Sequence, residues 1–233
     1  MRITKIPKGL MIALLAGFSC LSAQPTWADL AVTYRELGIA YRDQGDLPAS
    51  IAAFQKAVEL NPDNLEGQVN LGWTLHLAKR DRRAARVLER AIQSDPYHVK
   101  TFNALGIVYL VNHDLAAAVL AHSWASWLDP NNEIAYYNLS LSYQRLHQLP
   151  WAIAAAQKAA ELEPDNPHPW VALAIAYFDQ DDRENAHQAY QQAIALDDRY
   201  SDRAFLMYLD EAGFSSEQIE RSESVLSSLS GQP

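Results

Sequence analysis

The sequence predicts an all-α protein, an α-solenoid in which short helical hairpins stack side by side. Three observations support this prediction. A 34-residue pattern recurs, each copy has two apolar stripes at helical spacing, and turn residues separate the stripes. A single hairpin of this kind cannot bury both of its apolar faces, so the copies are expected to stack on one another.

The clearest copy spans residues 31–64. Leu37 and Tyr41 lie four residues apart, on one face of the first helix of the hairpin. Gly45 begins the turn that ends this helix. Pro62 ends the second helix, because proline cannot continue an α-helix. Each copy is therefore a helix–turn–helix unit.

Shifting the frame by 34 residues brings the same residue types into register. The Leu37-Gly38 pair returns as Leu71-Gly72, Leu105-Gly106, Leu139-Ser140 and Leu173-Ala174. Five units without insertions are predicted, at residues 31–64, 65–98, 99–132, 133–166 and 167–200.

This pattern resembles the tetratricopeptide repeat, which has an aromatic residue, Leu-Gly, Tyr, Ala, Phe and Pro at fixed positions in 34 residues. The resemblance covers residues 31–200. It implies a right-handed superhelix whose first helices line a concave, peptide-binding groove. His122 and Ala156 stand where other copies have Phe54 and Tyr190, so the third and fourth units are expected to pack differently at this point.

Residues 1–28 differ from the repeats and predict an exported protein. A basic start, an uncharged apolar run over 10–21 and small residues after it form the layout of a secretory signal peptide. Cleavage is expected after Ala23 or Ala28, and the alternative is a retained membrane anchor formed by residues 10–23. The expected destination is the periplasm, or the thylakoid lumen if the source is a photosynthetic bacterium.

The formal charge of the chain is −9. Cleavage after Ala28 would make it −12, because residues 1–28 contain three cations and no anion. This negative charge argues against nucleic acid as a partner and against a purely electrostatic hold on an anionic membrane. Cleavage would also remove Cys20, the only cysteine, so the exported domain is expected to contain no disulfide.

One segment, Lys79–Arg90, departs from this negative charge with six basic residues. One interpretation is a solvated helix face that Asp81 and Glu89 partly balance. The other is a docking patch for an acidic partner or for lipid headgroups.

Residues 201–230 are predicted to form a pair of helices that covers the apolar end of the array. Gly213 is expected to end the first helix in the left-handed conformation. Ser215 and Gln218 have the spacing of a capping box at the start of the second helix.

No pattern in the chain indicates catalysis. None of the seven histidines has another three or four residues away, which is the spacing of a helical metal pair. A phosphate-binding glycine loop and a nucleophile elbow are both absent from the sequence. The sequence therefore predicts a non-enzymatic protein without a cofactor.

The resemblance implies that the concave groove is the binding surface. Its expected residues are Arg35, Asn70, Trp73, Lys100, Asn103, Ile107, Tyr137, Asn138, Leu141, Arg145 and Phe178. Arg35, Asn70 and Lys100 fall on positions that chaperone-binding members of the family use to hold a terminal carboxylate. Ile39 and Ala104 occupy the other two positions of that clamp, so a complete clamp is not expected.

Together these features predict an adaptor or assembly factor that binds a protein or peptide partner in an extracytoplasmic compartment. The alternative is a structural subunit that self-associates or sits permanently in an envelope or membrane-associated complex. No nucleic-acid partner is expected. Membrane contact is expected only if the N-terminal segment is retained, and a homo-oligomer is compatible with either function.

Overall fold

The computed structural model describes residues 26–230, and these residues form an all-helical array without strands. The helices of the array are α1 Trp27–Asp43, α2 Leu47–Leu60, α3 Leu65–Leu77, α4 Asp81–Ser94, α5 Val99–Val111, α6 Leu115–Leu128, α7 Glu133–Arg145, α8 Leu149–Leu162, α9 Pro167–Asp179 and α10 Arg183–Leu196. Two 3₁₀ helices and one further α-helix follow, Asp198–Ser201, Arg203–Ala212 and α11 Ser216–Ser230. The predicted α-solenoid is confirmed.

The helices form two layers. Each odd-numbered helix from α1 to α9 packs against the helix that follows it, which gives five hairpins in this part of the chain. The first helices of neighbouring hairpins also contact one another, α3 with α5, α5 with α7 and α7 with α9. The odd-numbered helices therefore form a continuous inner layer, and the even-numbered helices form the outer layer.

Small residues on the inner helices set the distance between the two layers. A methyl group added at Gly38 would lie 2.8 Å from the ring of Phe54, and one at Gly72 would lie 2.6 Å from Leu88. Atoms cannot approach this closely, so each glycine makes room for the large side chain opposite. The recurring Leu-Gly pair is therefore a packing requirement.

The third and fourth hairpins differ at this contact, in line with the predicted difference in packing. Gly106 faces the ring of His122, which is fully buried. The fourth hairpin has Ser140 and Ala156 at the equivalent positions, and both are buried. Because Ala156 is small, Ser140 has space for its hydroxyl, which donates a hydrogen bond of 2.6 Å to its own helix.

The burial of His122 affects its protonation. Neither ring nitrogen has a hydrogen-bond partner among the described residues. Burial lowers the pKa of His122 from 6.5 to about 3. The ring is therefore neutral in the folded protein at pH values where an exposed histidine is charged.

We expect His122→Leu to reduce the loss of stability in acid. Below pH 6.5 His122 becomes protonated in the unfolded chain, whereas in the folded chain it stays neutral until the pH falls to about 3. Because only the unfolded chain binds this proton, the free energy of unfolding decreases progressively across this pH range. Between pH 7 and pH 5 the variant should gain about 2 kcal/mol over the wild type in free energy of unfolding. Urea unfolding at both pH values measures this gain.

Leucine is the appropriate replacement because Leu88 fills the same place opposite Gly72 in the second hairpin. The variant His147→Leu, at an exposed position, serves as the control for the replacement of a histidine by leucine. An equal pH dependence for His122→Leu and the wild type would contradict the assignment to His122.

The turn within each hairpin uses the left-handed backbone conformation. Gly45 has a φ of 79°, and the equivalent residues at intervals of 34 are all left-handed although none is glycine. Their φ values lie between 55° and 65°, at Lys79, His113, His147 and Asp181. A residue with a side chain is strained in this conformation, whereas glycine is not.

We expect Lys79→Gly to raise the free energy of unfolding by about 0.5–1 kcal/mol, since the relief of strain exceeds the extra freedom of glycine in the unfolded chain. The measurement is chemical unfolding at neutral pH. Lys79→Ala removes the same charge but keeps a Cβ, so it should leave stability nearly unchanged. Equal effects of the two substitutions would show that the charge, and not the backbone, is responsible.

The first helix starts earlier than the first predicted unit. Thr26 caps α1, and Thr26 and Asp29 exchange hydrogen bonds of 2.9 and 3.1 Å in a capping box. Cleavage after Ala28 would remove this cap, whereas cleavage after Ala23 would keep it. The predicted signal or anchor segment lies almost wholly outside the described residues, and none of the described helices is long and apolar enough to cross a membrane.

The helix caps predicted for residues 201–230 are confirmed. Gly213 has a φ of 87° and ends the 3₁₀ helix Arg203–Ala212. The Ser215 and Gln218 side chains each accept a hydrogen bond from the other residue's backbone N–H, at 3.3 and 3.0 Å, before α11 begins. The preceding helix is 3₁₀ and not α, and its buried Leu206 and Leu209 share a face because this helix has three residues per turn.

Candidate peptide-binding groove

Helix α11 and the residues before it were predicted to cover the end of the array. They also lie against the inner layer. The Gln218 amide donates hydrogen bonds to the carbonyl oxygen of Leu141, at 3.3 Å, and to the Gln144 side chain, at 2.8 Å. The Tyr137 hydroxyl donates to the carbonyl oxygen of Ala212 at 2.6 Å. Phe214 is buried with its ring 6.2 Å from that of Tyr137.

An ion pair fixes α11 to the last inner helix. The Arg221 guanidinium lies 2.6 Å from the carboxylate of Asp179, which is largely buried at the C-terminal end of α9. Gln144 donates a second hydrogen bond of 2.6 Å to the same carboxylate. Arg221 also lies 5.9 Å from the ring centre of Phe178, and Arg183 lies over that ring at 3.5 Å. Phe178 is therefore flanked by two guanidinium groups of its own chain.

Equivalent positions on the five inner helices show which part of the groove is covered. This column consists of Ile39, Trp73, Ile107, Leu141 and Ile175. Leu141 and Ile175 are fully buried in one cluster with Phe214 and Val225 of the C-terminal segment. Ile39, Trp73 and Ile107 remain partly exposed. We call the covered face of α7 and α9 the occupied groove and the inner face of α1, α3 and α5 the open groove.

This division corrects the set of accessible groove residues. Leu141 has no exposed surface, and Tyr137 is bound to the chain's own C-terminal segment. Asn138 is buried, and its amide donates to the carbonyl oxygen of Ile134 within α7. A partner could reach these side chains only if the C-terminal segment moved away. The predicted residues that remain available are Arg35, Asn70, Trp73, Lys100, Asn103, Ile107 and part of Arg145.

The open groove combines apolar and cationic side chains. Trp73 packs beside His76, with ring centres 5.3 Å apart, and Leu77 and Val111 at the helix ends are exposed. Lys100 forms an ion pair of 2.8 Å with Glu66, and its hydrogen bond is the main reason that the pKa of Glu66 lies below its usual value. The open groove therefore has apolar surface for a partner's hydrophobic side chains and cations at its edge.

Two asparagine side chains of the predicted groove bond to groups within the chain, Asn70 of the partial clamp and Asn103 outside it. Asn70 accepts a hydrogen bond of 3.1 Å from Arg42 and donates one of 2.8 Å to the carbonyl oxygen of Glu66. Asn103 exchanges hydrogen bonds of 3.1 and 3.2 Å with Asn132. These contacts hold the amides in place. They do not form a ready-made site for a terminal carboxylate.

Arg145 lies where the two parts of the groove meet. Its guanidinium donates to the carbonyl oxygen of Leu110 at 3.1 Å and to His113 Nδ1 at 2.7 Å. Burial lowers the pKa of Arg145, and the nearby carboxylate of Glu217 opposes that shift. A pocket of about 300 Å³ separates Arg145 from the acidic side of α11 and is lined by Glu217 and Glu220.

Comparison with known proteins identifies the repeats. Models of the tetratricopeptide repeat match residues 35–99 and 167–200. The chain contains tetratricopeptide repeats. The number of tetratricopeptide units and their bounds stay predictions, because the models do not cover the residues between these two matches.

Solved tetratricopeptide structures share the fold. A crystal structure of MamA matches with a TM-score of 0.65 and 23% identity, over 74% of this chain and 94% of that one. MamA from Desulfovibrio magneticus RS-1 gives 0.67 and 22%, over 73% and 97%. YrrB, described as a TPR protein with an unusual peptide-binding site, gives 0.61 and 18%, over 78% and 92%. At these identities the likeness concerns the fold.

A curated relative matches only a short part of the chain. Superkiller protein 3 of Saccharomyces cerevisiae is 34% identical over 65 residues, which is 28% of this chain and 4% of that protein. A match of this length fits the repeats alone.

Three of the residues that close the occupied groove have no counterpart in the repeat pattern. The spacing of Gln218 from Ser215 indicates only a capping box, and no motif includes Asp179 or Arg221. Gln218, Ser222 and Val225, which are all buried, have the i, i+4 and i+7 spacing of one helical face, whereas Arg221 is exposed beside it. No feature of the tetratricopeptide pattern shows where that face docks.

We expect Gln218→Ala to loosen α11 without unfolding the array. The substitution removes the hydrogen bonds to Leu141 and Gln144 and the capping contact to Ser215, which should lower the local opening free energy of α11 by about 1–3 kcal/mol. Hydrogen exchange of amides in residues 216–230 measures this change. Ser224→Ala, an exposed change on the same helix, is the control. Equal exchange in both variants would contradict the role of Gln218 in docking.

Proposed function

We propose that the chain is a non-enzymatic adaptor that binds an acidic amphipathic helix of a partner protein in the open groove. The column of equivalent inner positions is the observation that carries this proposal. The chain's own C-terminal segment covers Leu141 and Ile175, whereas Ile39, Trp73 and Ile107 are partly exposed. Apolar side chains that line a groove and keep exposed surface are typical of a binding site.

Helix α11 serves as an internal example of the expected ligand. Its apolar residues, including the fully buried Val225, enter the core cluster of the occupied groove. Gln218 bonds to a backbone carbonyl and to an amide of α7, and Arg221 forms the ion pair with Asp179. Docking of an amphipathic helix into an apolar groove is a common mode of peptide recognition. The same inner layer continues into the open groove, so a second helix could lie there in the same way.

The charges of the open groove favour an acidic helix. Arg35 lies on a predicted binding position and Arg42 lies beside Asn70, whereas Lys100 is already paired with Glu66. At the boundary, Arg145 already faces Glu217 of α11 across the pocket. A partner helix with acidic residues at its edges and apolar residues at its centre would complement this surface. YrrB, whose fold is similar, has a peptide-binding site of its own, which is consistent with this use of the scaffold.

We further propose that the adaptor works in an extracytoplasmic compartment. The support is the signal-like layout of residues 1–28, with a basic start, an apolar run and small residues before the array. Cell fractionation with N-terminal sequencing of the mature chain tests this part. An N-terminus after Ala23 or Ala28 supports export with cleavage, and an intact N-terminus in the membrane fraction supports the anchor.

We expect the double variant Trp73→Ala and Ile107→Ala to lose its partner. Both residues lie in the open groove with part of their surface exposed, so truncation removes contact area without opening the core. Loss of two such anchors should weaken binding by about 2–4 kcal/mol, which corresponds to roughly 25-fold or more. The measurement is crosslinking and capture of partners from the native source, quantified by mass spectrometry against the wild-type chain.

Trp151→Ala is the matched control, because Trp151 is an exposed tryptophan on the outer helix α8. A partner captured by the wild type and the control but lost from the double variant would support the open groove. Capture of only further copies of the chain by all three proteins would overturn the adaptor and favour the alternative of a self-associating structural subunit.

A further inference from the structure

The outer layer has an apolar and aromatic surface on α6. Leu120 is 73% exposed, Trp127 is 66% exposed, and Trp124 lies between them with its ring 5.0 Å from that of Trp127. Helix α6 has no Asp, Glu, Lys or Arg over Leu115–Leu128, and its one histidine, His122, is buried. A solvated outer helix normally presents charged residues on its free face. The free face of α6 is therefore unusual for a surface in contact with water alone.

The aromatic side chains of this surface are held in place. The Trp124 indole N–H donates a hydrogen bond of 3.0 Å to the carbonyl oxygen of Pro96, in the turn between α4 and α5. Its ring also lies 6.1 Å from that of Phe102 on α5. Tyr97, in the same turn, is 67% exposed. The turn and the α6 face thus form one aromatic platform that extends to the edge of α4.

Helix α4 lies next to this platform and is basic on its outer face. The exposed cations are Arg82, Arg83, Arg86 and Arg90. Arg86 and Arg90 occupy the positions that Leu120 and Trp124 occupy one repeat later, so the basic stripe and the apolar stripe run side by side. We call these two stripes, together with Tyr97, the convex patch.

The acidic residues that were expected to balance α4 are engaged elsewhere. The Asp81 carboxylate lies 2.6 Å from His76 Nδ1, and Glu89 accepts a hydrogen bond of 2.8 Å from the Tyr109 hydroxyl. None of the four arginine side chains forms an ion pair or side-chain hydrogen bond within residues 26–230. No direct ion pair within the described residues therefore neutralises these four side chains, although the net charge of the chain is −9.

We propose that the convex patch binds the surface of an anionic lipid bilayer. Guanidinium groups complement lipid phosphates and anionic headgroups, and tryptophan, tyrosine and leucine beside them have the composition of segments that lie in the headgroup region. Leu120 and Trp127 are 73% and 66% exposed, so both side chains are free to enter the headgroup region of a lipid surface. The groove, on the opposite layer, stays free for a protein partner.

The first test is co-sedimentation of the full chain with vesicles. One set contains phosphatidylcholine alone, and the other contains phosphatidylcholine mixed with phosphatidylglycerol. We expect binding to the anionic vesicles that weakens with added salt. The double variant Arg83→Gln and Arg86→Gln should bind roughly 25-fold more weakly, since each basic side chain at such a surface contributes about a factor of five. Leu120→Ser with Trp127→Ser should also reduce binding.

The control removes two cations from other parts of the outer layer, by Lys56→Gln and Lys158→Gln. Each of these lysines is already paired with a glutamate, at 3.1 and 3.3 Å, so binding should be unchanged. All variants share residues 1–25, so any contribution of that segment is equal in every protein. Equal binding of the arginine variant and this control would overturn the proposal.

A site-specific measurement separates patch contact from attachment by another part of the chain. An environment-sensitive dye is attached to Ala116→Cys on α6 or to Ala195→Cys on α10, both exposed positions, with Cys20→Ser in each protein. Contact of the patch predicts a blue shift on anionic vesicles at position 116 and not at 195. Vesicle binding with a shift at neither position would overturn lipid contact by the patch and favour attachment by another part of the chain. Self-association that depends on the arginines, without vesicle binding, would overturn it and favour a protein partner.

Discussion

Close packing between the two helices of each hairpin is the constraint on which the rest of the structure depends. Gly72 lies so near Leu88 that no side chain could be added, and Gly38 meets Phe54 in the same way. The two layers lie close together as a result. The first helices of neighbouring hairpins also contact one another and form a continuous inner layer. Without that continuity, residues 34 apart in the chain would not line up into columns across a single groove.

The columns explain how one array can be both complete and open for binding. At the occupied end, Gln218, Arg221 and the apolar residues of α11 satisfy the inner face, and the polar contacts there are largely buried. At the open end the same layer presents Trp73 and Ile107 without a cover. The C-terminal helix therefore protects the end that lacks a following repeat, and it also limits the length of groove available to a partner.

The repeat pattern predicted the parts of the fold that arise from local or periodic contacts. The Leu-Gly pairs marked the hairpins, and Gly213, Ser215 and Gln218 marked the caps, because these signals involve residues close together in the chain. Docking of α11 could not be predicted in this way. Gln218 meets Leu141 from a distance of 77 residues in sequence, and an amphipathic stripe shows that a helix is buried but not against what.

The left-handed conformation of the turn residues was only partly predictable from the sequence. Gly45 indicated a turn in the first unit, but Lys79 at the equivalent position is not a residue that favours this conformation. The 34-residue period is sufficient to predict the left-handed conformation at Lys79 from that at Gly45. For the groove, periodicity identified the correct layer, and the covering of Tyr137 and Leu141 depended on a segment outside the repeats.

Variation between the repeats shows where function has room to differ from packing. The buried column of the outer helices is alanine in every hairpin, at Ala57, Ala91, Ala125, Ala159 and Ala193. The exposed column on the same helices changes each time, through Ala52, Arg86, Leu120, Ala154 and Gln188. Packing fixes the first column and leaves the second free, because exposed outer positions do not determine how the layers meet. The net charge is a sum over all residues of the chain. It therefore does not describe the charge of a local surface such as the convex patch.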